Sequence, residues 1–289
     1  MLSSYPAHTG NHRRRFQDLE NLKGVLASID TTPVIDTHKV GIVYVAPGQK
    51  SEQEILSNSH GSPAYSRFLA DLGRVIKPSN RLEVYTGGLS PVRHGEYAYA
   101  WWDDISQVIY HVATIMPNRD NGFWKKQEIG NDGVKIIWND GGTPFALNTI
   151  NSQFSLINII VEPHSIGSRS AYSDNRHENE FFKITLQTSP KLPRVTPIGE
   201  FKIVSAERLS LVLRHFSLLA SLFANAWERT GRDSDDPTER IPFLTNWQQR
   251  LRFITNSGRL LPSQPPPKPH SPGVTLMERE AGRDFTSSF

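Results

Sequence analysis

From Lys39 the chain reads KVGIVYV, an apolar and β-branched run broken by Pro47-Gly48-Gln49, the pattern of a buried strand followed by a turn. Ser51 and Glu54 have the spacing of a capping box and open a helix to about Leu56. Ser62 followed by Pro63 starts a second helix, with Phe68, Leu69, Leu72 and Val75 on one face and Pro78 beyond its end. Residues 81–85 and 97–101 alternate like strands, and 108–116 (VIYHVATIM) predicts a further buried strand ended by Pro117. A short polar helix is expected from about Gly122 to Gly130, then strands over 134–138, 154–161, 180–186 and 200–204. Ser205 is placed to cap a long helix to about Arg229, with Leu209, Val212, Phe216, Leu219 and Phe223 as its apolar stripe and Gly231 at its end. A last helix over 246–254 would turn Trp247, Leu251 and Ile254 inward.

Strands interleaved with helices predict an α/β class, an α+β sandwich of mixed sheets flanked by helices. The ordered core runs from about 36 to 257. Before it lies an N-terminal extension with one peripheral helix over 16–29. After it, PSQPPPKPHSP holds six prolines in eleven residues, so 258–289 is expected to be a disordered tail.

Composition narrows the function. With 289 residues, 37% hydrophobic, the chain has room for one or two domains. Without cysteine it has no disulfide, cysteine nucleophile or thiolate metal site. A net charge of +3, dispersed, argues against nucleic acid as partner. The uncharged stretch over 215–227 is shorter than the ~20 residues that span a bilayer, and no signal peptide is legible, so a soluble cytoplasmic protein without a transmembrane segment is expected. No P-loop, GxGxxG, HExxH or GxSxG pattern is present. Asp103, Asp104, Asp132 and Asp140 could gather around Mg²⁺ in a phosphoesterase, but carboxylates at strand ends more often serve as caps and turns, and no metal is expected.

One window carries more: Lys125-Lys126-Gln127-Glu128-Ile129-Gly130-Asn131-Asp132-Gly133, then VKIIW, then Asn139-Asp140-Gly141-Gly142. By pattern alone it is a helix end, a strand and a turn. The segment IGND, the strand and ND after it, and HVATIMPNRD upstream resemble the catalytic region of the Rap/Ran-GAP family of GTPase-activating domains. PGQKSEQEILSNSHGSPAY (47–65) and FSLINIIVEP (154–163) are similar to segments of the tuberin-type members, and the resemblance covers about 39–254.

The resemblance implies a smaller dimerisation-type α/β subdomain at about 36–105 and a catalytic subdomain at about 106–257. It also implies an asparagine thumb at Asn131, whose carboxamide positions the attacking water at the γ-phosphate of a small GTPase. GTP and Mg²⁺ would belong to that partner, so no cofactor is expected. The partner it suggests is Rheb-like, with a Rap-like GTPase as the alternative. It further suggests a hamartin-like subunit, a homodimer, a role in switching off TOR signalling, and recruitment to a lysosomal or vacuolar surface through a larger complex. Lys125, Lys126, Gln127, Glu128, Gly130, Asp132, Asn139, Asp140, Arg250 and Arg252 are the candidate GTPase-binding residues. Gly130 would let the helix end approach the partner closely, and Asn139 and Asp140 would shape a supporting turn. Gln127 and Glu128 depart from the arginine and histidine of tuberin-type members, and Glu128 would bring negative charge towards a triphosphate. His111, on an apolar strand, is expected to be a satisfied core histidine. A non-catalytic scaffold that keeps the fold is the competing reading.

Overall fold

Apolar residues at consecutive positions in KVGIVYV and VKIIW demand cover on both faces of a sheet, and the computed structural model supplies it. The structure describes residues 19–30, 32–79, 85–86, 88–119, 122–150, 152–165, 180–193, 198–230 and 244–260. The strands are β1 (Asp36–Val45), β2 (Arg74–Ile76), β3 (Ala98–Trp102), β4 (Ser106–Val112), β5 (Val134–Asn139), β6 (Ile157–Pro163), β7 (Phe181–Thr188) and β8 (Lys202–Ser205). The helices are α1 (Leu19–Asp30), α2 (Glu52–Ser57), α3 (Pro63–Leu72), α4 (Pro91–His94), α5 (Phe123–Asn131), α6 (Ala206–Thr230) and α7 (Asn246–Leu260). The chain divides into two units: residues 30–250, which carry the sheet, and 1–29 with 251–289.

The eight strands form one mixed sheet in the order β2-β3-β4-β1-β5-β6-β7-β8, so the class is α/β. The middle four are parallel and the outer pairs antiparallel. β1 lies between β4 and β5, so the segments 36–105 and 106–257 share this sheet. On one face Val40, Ile42, Tyr44, Tyr110, Ile136, Trp138 and Ile159 pack against residues of α3 and α6. On the other, Val43, Val45, Ile137 and Ile160 meet Ile55 and Leu56 of α2, Ile129 of α5, and Phe145 and Ile150 of the following loop.

Several expected boundaries move, each for a local reason. Gly73 ends α3, and its backbone lies so close to β3 that a Cβ there would sit 2.7 Å from the Ala100 carbonyl. Val75 therefore belongs to β2 and not to the helix. β4 stops at Val112, and 113–116 turn. β6 begins at Ile157, leaving Phe154 in an exposed turn. The expected stripe of α6 faces the core at Leu209, which is buried, and at Val212, Phe216 and Phe223, which pack against the core; Leu213 and Ala224 are buried too, and Leu219 is exposed. Trp247, Leu251 and Ile254 of α7 are likewise exposed, not inward. The predicted strand over 81–85, apart from Tyr85, lies outside the described residues, as do Gly231, the tail from 261 and residues 1–18. Over Ala206–Glu228, α6 is long and apolar enough to cross a membrane by length and composition; here it lies along the sheet.

Trp138 is the centre of the larger core, fully buried, with ring centres of Phe68, Phe182 and Tyr65 at 5.2, 5.0 and 5.7 Å. Trp138→Ala removes the ring these three pack on. The expected loss is about 3–5 kcal/mol in urea unfolding, and a loss below about 1 kcal/mol would show that the cluster repacks without it.

Candidate functional site

The site is built around α5, which is short and only weakly amphipathic, so it must be held by specific contacts. It starts at Gly122, whose φ of +80° favours glycine. Lys125, Ile129 and Gly130 face inward, while Lys126, Gln127 and Asn131 are exposed. Ile129 packs into the second core cluster. The Lys125 ammonium donates to the carbonyls of Leu56 and Asn58 at 3.1 and 3.2 Å. These lie at the C-terminus of α2, where unpaired carbonyls and the helix dipole favour a cation.

That seat is itself built by the PGQ-to-SN segment. Ser51 and Glu54 form the capping box of α2. Gln49 and Asn58 exchange amide hydrogen bonds of 2.9 and 2.8 Å, and Asn58 Nδ2 donates to Tyr44 O on β1 at 2.8 Å.

The far end of α5 is fixed from three sides. The Ser152 hydroxyl donates to Gly130 O. Lys135 Nζ donates to Asp132 O at 2.6 Å. The Asp132 carboxylate accepts from His111 Nδ1, at 3.0 and 2.9 Å to its two oxygens, with both residues buried. His111 lies beside Gly41 in the β1–β4 register. A Cβ on Gly41 would sit 3.1 Å from Asp132 Oδ2, so glycine there makes room for the carboxylate. His111 is thus a satisfied core histidine, and the HVAT and IGND segments are joined through this pair.

Asn131 is the last residue of α5 and is exposed between buried Gly130 and buried Asp132. Its carboxamide makes no hydrogen bond to the described residues. It stands on the rim of a pocket of about 350 Å³ at the N-terminal ends of β1 and β5, lined also by Thr37, Lys39, His111, Glu128 and Asn225. A carboxamide offers an acceptor and two donors, and one held rigidly yet unpaired is available to a partner's groups.

Glu128, one turn earlier, is paired within the chain. His94 Nε2 lies 3.3 Å and Arg93 Nη1 3.7 Å from its oxygens. The His94 hydrogen bond, helped by the charge of Lys39, outweighs burial and holds the Glu128 carboxyl below the usual glutamate value. Arg93 also stacks on Trp124, 4.3 Å from its ring centre.

The other candidates separate. Lys125, Asp132 and Asn139 are buried, with side chains engaged within the chain, and Gly130 is buried beside them. Gly130 keeps helical backbone and faces Ser152, where a Cβ would find ordinary contact at 3.7 Å. Lys126, though exposed, pairs with Glu52 at 2.8 Å. Asn139 donates to Thr143 O and Glu162 at 2.8 and 2.9 Å, and Asp140 accepts from the Trp138 indole at 3.0 Å. This turn lies at the opposite end of β5 from Asn131, so it does not support that residue directly. Arg250 donates to Thr32 O at 2.5 Å, leaving its side chain 16% exposed, while Arg252 is exposed. Asp103 caps its own turn, and among the described residues the four aspartates form no joint cation cluster. Sequence reasoning missed His94, Arg93 and Gly41; only the charge of Glu128, which demands a partner, hinted at the first two.

A family model described as Rap/ran-GAP matches residues 55–256. The chain belongs to the Rap/ran-GAP family. The tuberous sclerosis 2 protein homolog of Schizosaccharomyces pombe is 31% identical over 81% of this chain. The human Ral GTPase-activating protein subunit alpha-1 is 28% identical over 80%. The solved TSC2 GAP domain is 36% identical, with a TM-score of 0.58, and aligns with 67% of this chain and 99% of its own. This is a GAP domain of the tuberin and Rap–Ral type. The chain spans 17% of the yeast relative's length and 11% of the human one's.

Burial lowers the Lys125 ammonium to about 8, and the unfolded chain keeps that proton to about its ordinary 10.5. Between these values the unfolded state binds more protons, so the Lys125 contribution to stability rises with pH. Lys135, lowered similarly by burial, adds the same trend in any variant that retains it. Denaturant titrations at about pH 7.5 and about pH 10 should therefore show wild type gaining on Lys125→Met. Identical pH responses of the two proteins would contradict the assignment.

Proposed function

We propose that this domain accelerates GTP hydrolysis by a small GTPase, with the Asn131 carboxamide entering the partner's nucleotide site to orient the attacking water. The observation that carries the proposal is the state of Asn131: exposed and unpaired, on a helix end fixed by buried neighbours. Phosphoryl transfer needs positioning and charge stabilisation more than covalent help. A carbonyl oxygen can accept from the water while the NH₂ faces phosphate or backbone oxygen. Aspartate there would bring negative charge to the triphosphate, and alanine would leave the water unheld. Glu128 does not add such a charge freely, because His94 and Arg93 stand against it.

The expected acceleration is about 10³–10⁵-fold, roughly 4–7 kcal/mol of barrier. The nucleotide and Mg²⁺ are the partner's, and the domain contributes no cofactor to that reaction. A Rheb-like GTPase is the proposed partner, on the likeness to the TSC2 GAP domain, with Rap-like and Ral-like GTPases as alternatives supported by the family and its relatives. Assembly with a hamartin-like subunit, restraint of TOR signalling and recruitment to a lysosomal or vacuolar surface are proposed for the longer protein on the same basis.

Single-turnover hydrolysis by Rheb, Rap and Ral, each with wild type and Asn131→Ala, tests the reading. Wild type should accelerate one of them at least several hundredfold, and Asn131→Ala should lose about 10²-fold or more of that rate with its fold and GTPase affinity kept. Wild type as inert as Asn131→Ala on all three would put the scaffold reading ahead.

A further inference from the structure

The geometry points to a divalent transition-metal site, suited to Zn²⁺, formed by His94 of α4, His111 of β4 and Glu128 of α5. One ligand atom from each lies within 4.8 Å of the other two. Both histidines are buried, and the Glu128 side chain is 16% exposed. The three come from separate elements, so nothing in their sequence spacing announces them.

The chemistry of the set fits the ion. Two imidazoles and a carboxylate, with a fourth position left to water, are an open four-coordinate donor set for zinc. With metal–ligand bonds of about 2.0–2.1 Å, tetrahedral ligands stand roughly 3.3 Å apart, which is the His94 Nε2 to Glu128 oxygen distance. The orienting contacts are also in place. His111 donates through Nδ1 to Asp132, which leaves Nε2 as the ring's remaining ligand atom and gives the carboxylate–histidine arrangement that raises ligand basicity.

His94 must change tautomer. In the metal-free chain its Nδ1 accepts from Ser90 N at 2.9 Å, so Nε2 carries the proton towards Glu128. With metal on Nε2 the proton moves to Nδ1 and is donated to Ser90 O, 3.2 Å away. The ring stays neutral and releases no proton, and the Ser90 N–H gives up its Nδ1 acceptor. The bound ion would tie α4, β4 and α5 together. It would also change the local charge from Glu128's −1 to +1. Two of the three ligands, His111 and Glu128, line the same pocket as Asn131. None of this depends on the GTPase reading.

Calorimetric titration of Zn²⁺ tests the site, in a chain carrying His8→Ala and His12→Ala to remove a histidine pair four residues apart in the sequence. One zinc per chain is expected, with affinity falling at least about tenfold in His94→Gln and about 10–100-fold in Asp132→Asn. Glu128→Gln, a change on a partly exposed side chain, gives an independent arm. Co²⁺ should show tetrahedral visible absorption in the parent chain and lose it in this variant. Far-UV circular dichroism confirms that each protein is folded. No one-to-one binding, or binding unchanged in the folded variants, would overturn the site.

Discussion

The buried pair of His111 and Asp132 is the contact on which the functional end of the molecule depends. It joins the centre of the sheet to the residue that follows Asn131 in the chain. A carboxylate this deep is tolerable because it has a hydrogen-bonded partner, because its own backbone carbonyl is met by Lys135, and because Gly41 has no side chain to exclude it. The consequence is local rigidity. α5 has little apolar surface to hold it, yet both its ends are fixed, by Lys125 at the α2 terminus and by Asp132 at the sheet. An exposed carboxamide gains positional definition only from such neighbours, and effective orientation is where phosphoryl transfer finds most of its acceleration.

Charge around the site follows the same economy. Glu128 stands one turn before Asn131, where an unbalanced carboxylate would oppose a triphosphate. His94 and Arg93, from α4, answer it, and Arg93 is held in turn over Trp124. The negative charge of Glu128 is therefore accommodated inside the chain. Two of these groups, Glu128 and His94, make with His111 the arrangement that invites a metal.

Much of this was legible in the sequence. The apolar runs at 39–45 and 134–138 marked the central strands, because both faces of a parallel sheet are covered and the residues must be apolar throughout. The capping box at Ser51 and the proline after Ser62 marked α2 and α3. Asn131 was singled out by resemblance alone; that it is exposed, with no hydrogen bond from its carboxamide to the described residues, came from the structure. What could not be read was tertiary in origin. Lys125 looks like solvated surface beside Lys126 until α2 is seen to present its carbonyls to it. Gly130 looks like a special backbone position but is helical. The exposure of Leu219, in a stripe of α6 that otherwise meets the core, depends on how far the cover over that helix extends, and periodicity alone leaves the edges of a stripe loose. Gly41 in an apolar strand gave no sign that a carboxylate lies against it.

The central claim is that Asn131 reaches the reacting water while its neighbours only hold it. A structure of the domain bound to its GTPase loaded with GDP and aluminium fluoride measures this directly. The account predicts the Asn131 carboxamide within about 2.6–3.2 Å of the water in line with the phosphoryl mimic, with Asp132 still on His111. A complex in which the carboxamide lies away from that water, or in which another side chain holds it, would contradict the account.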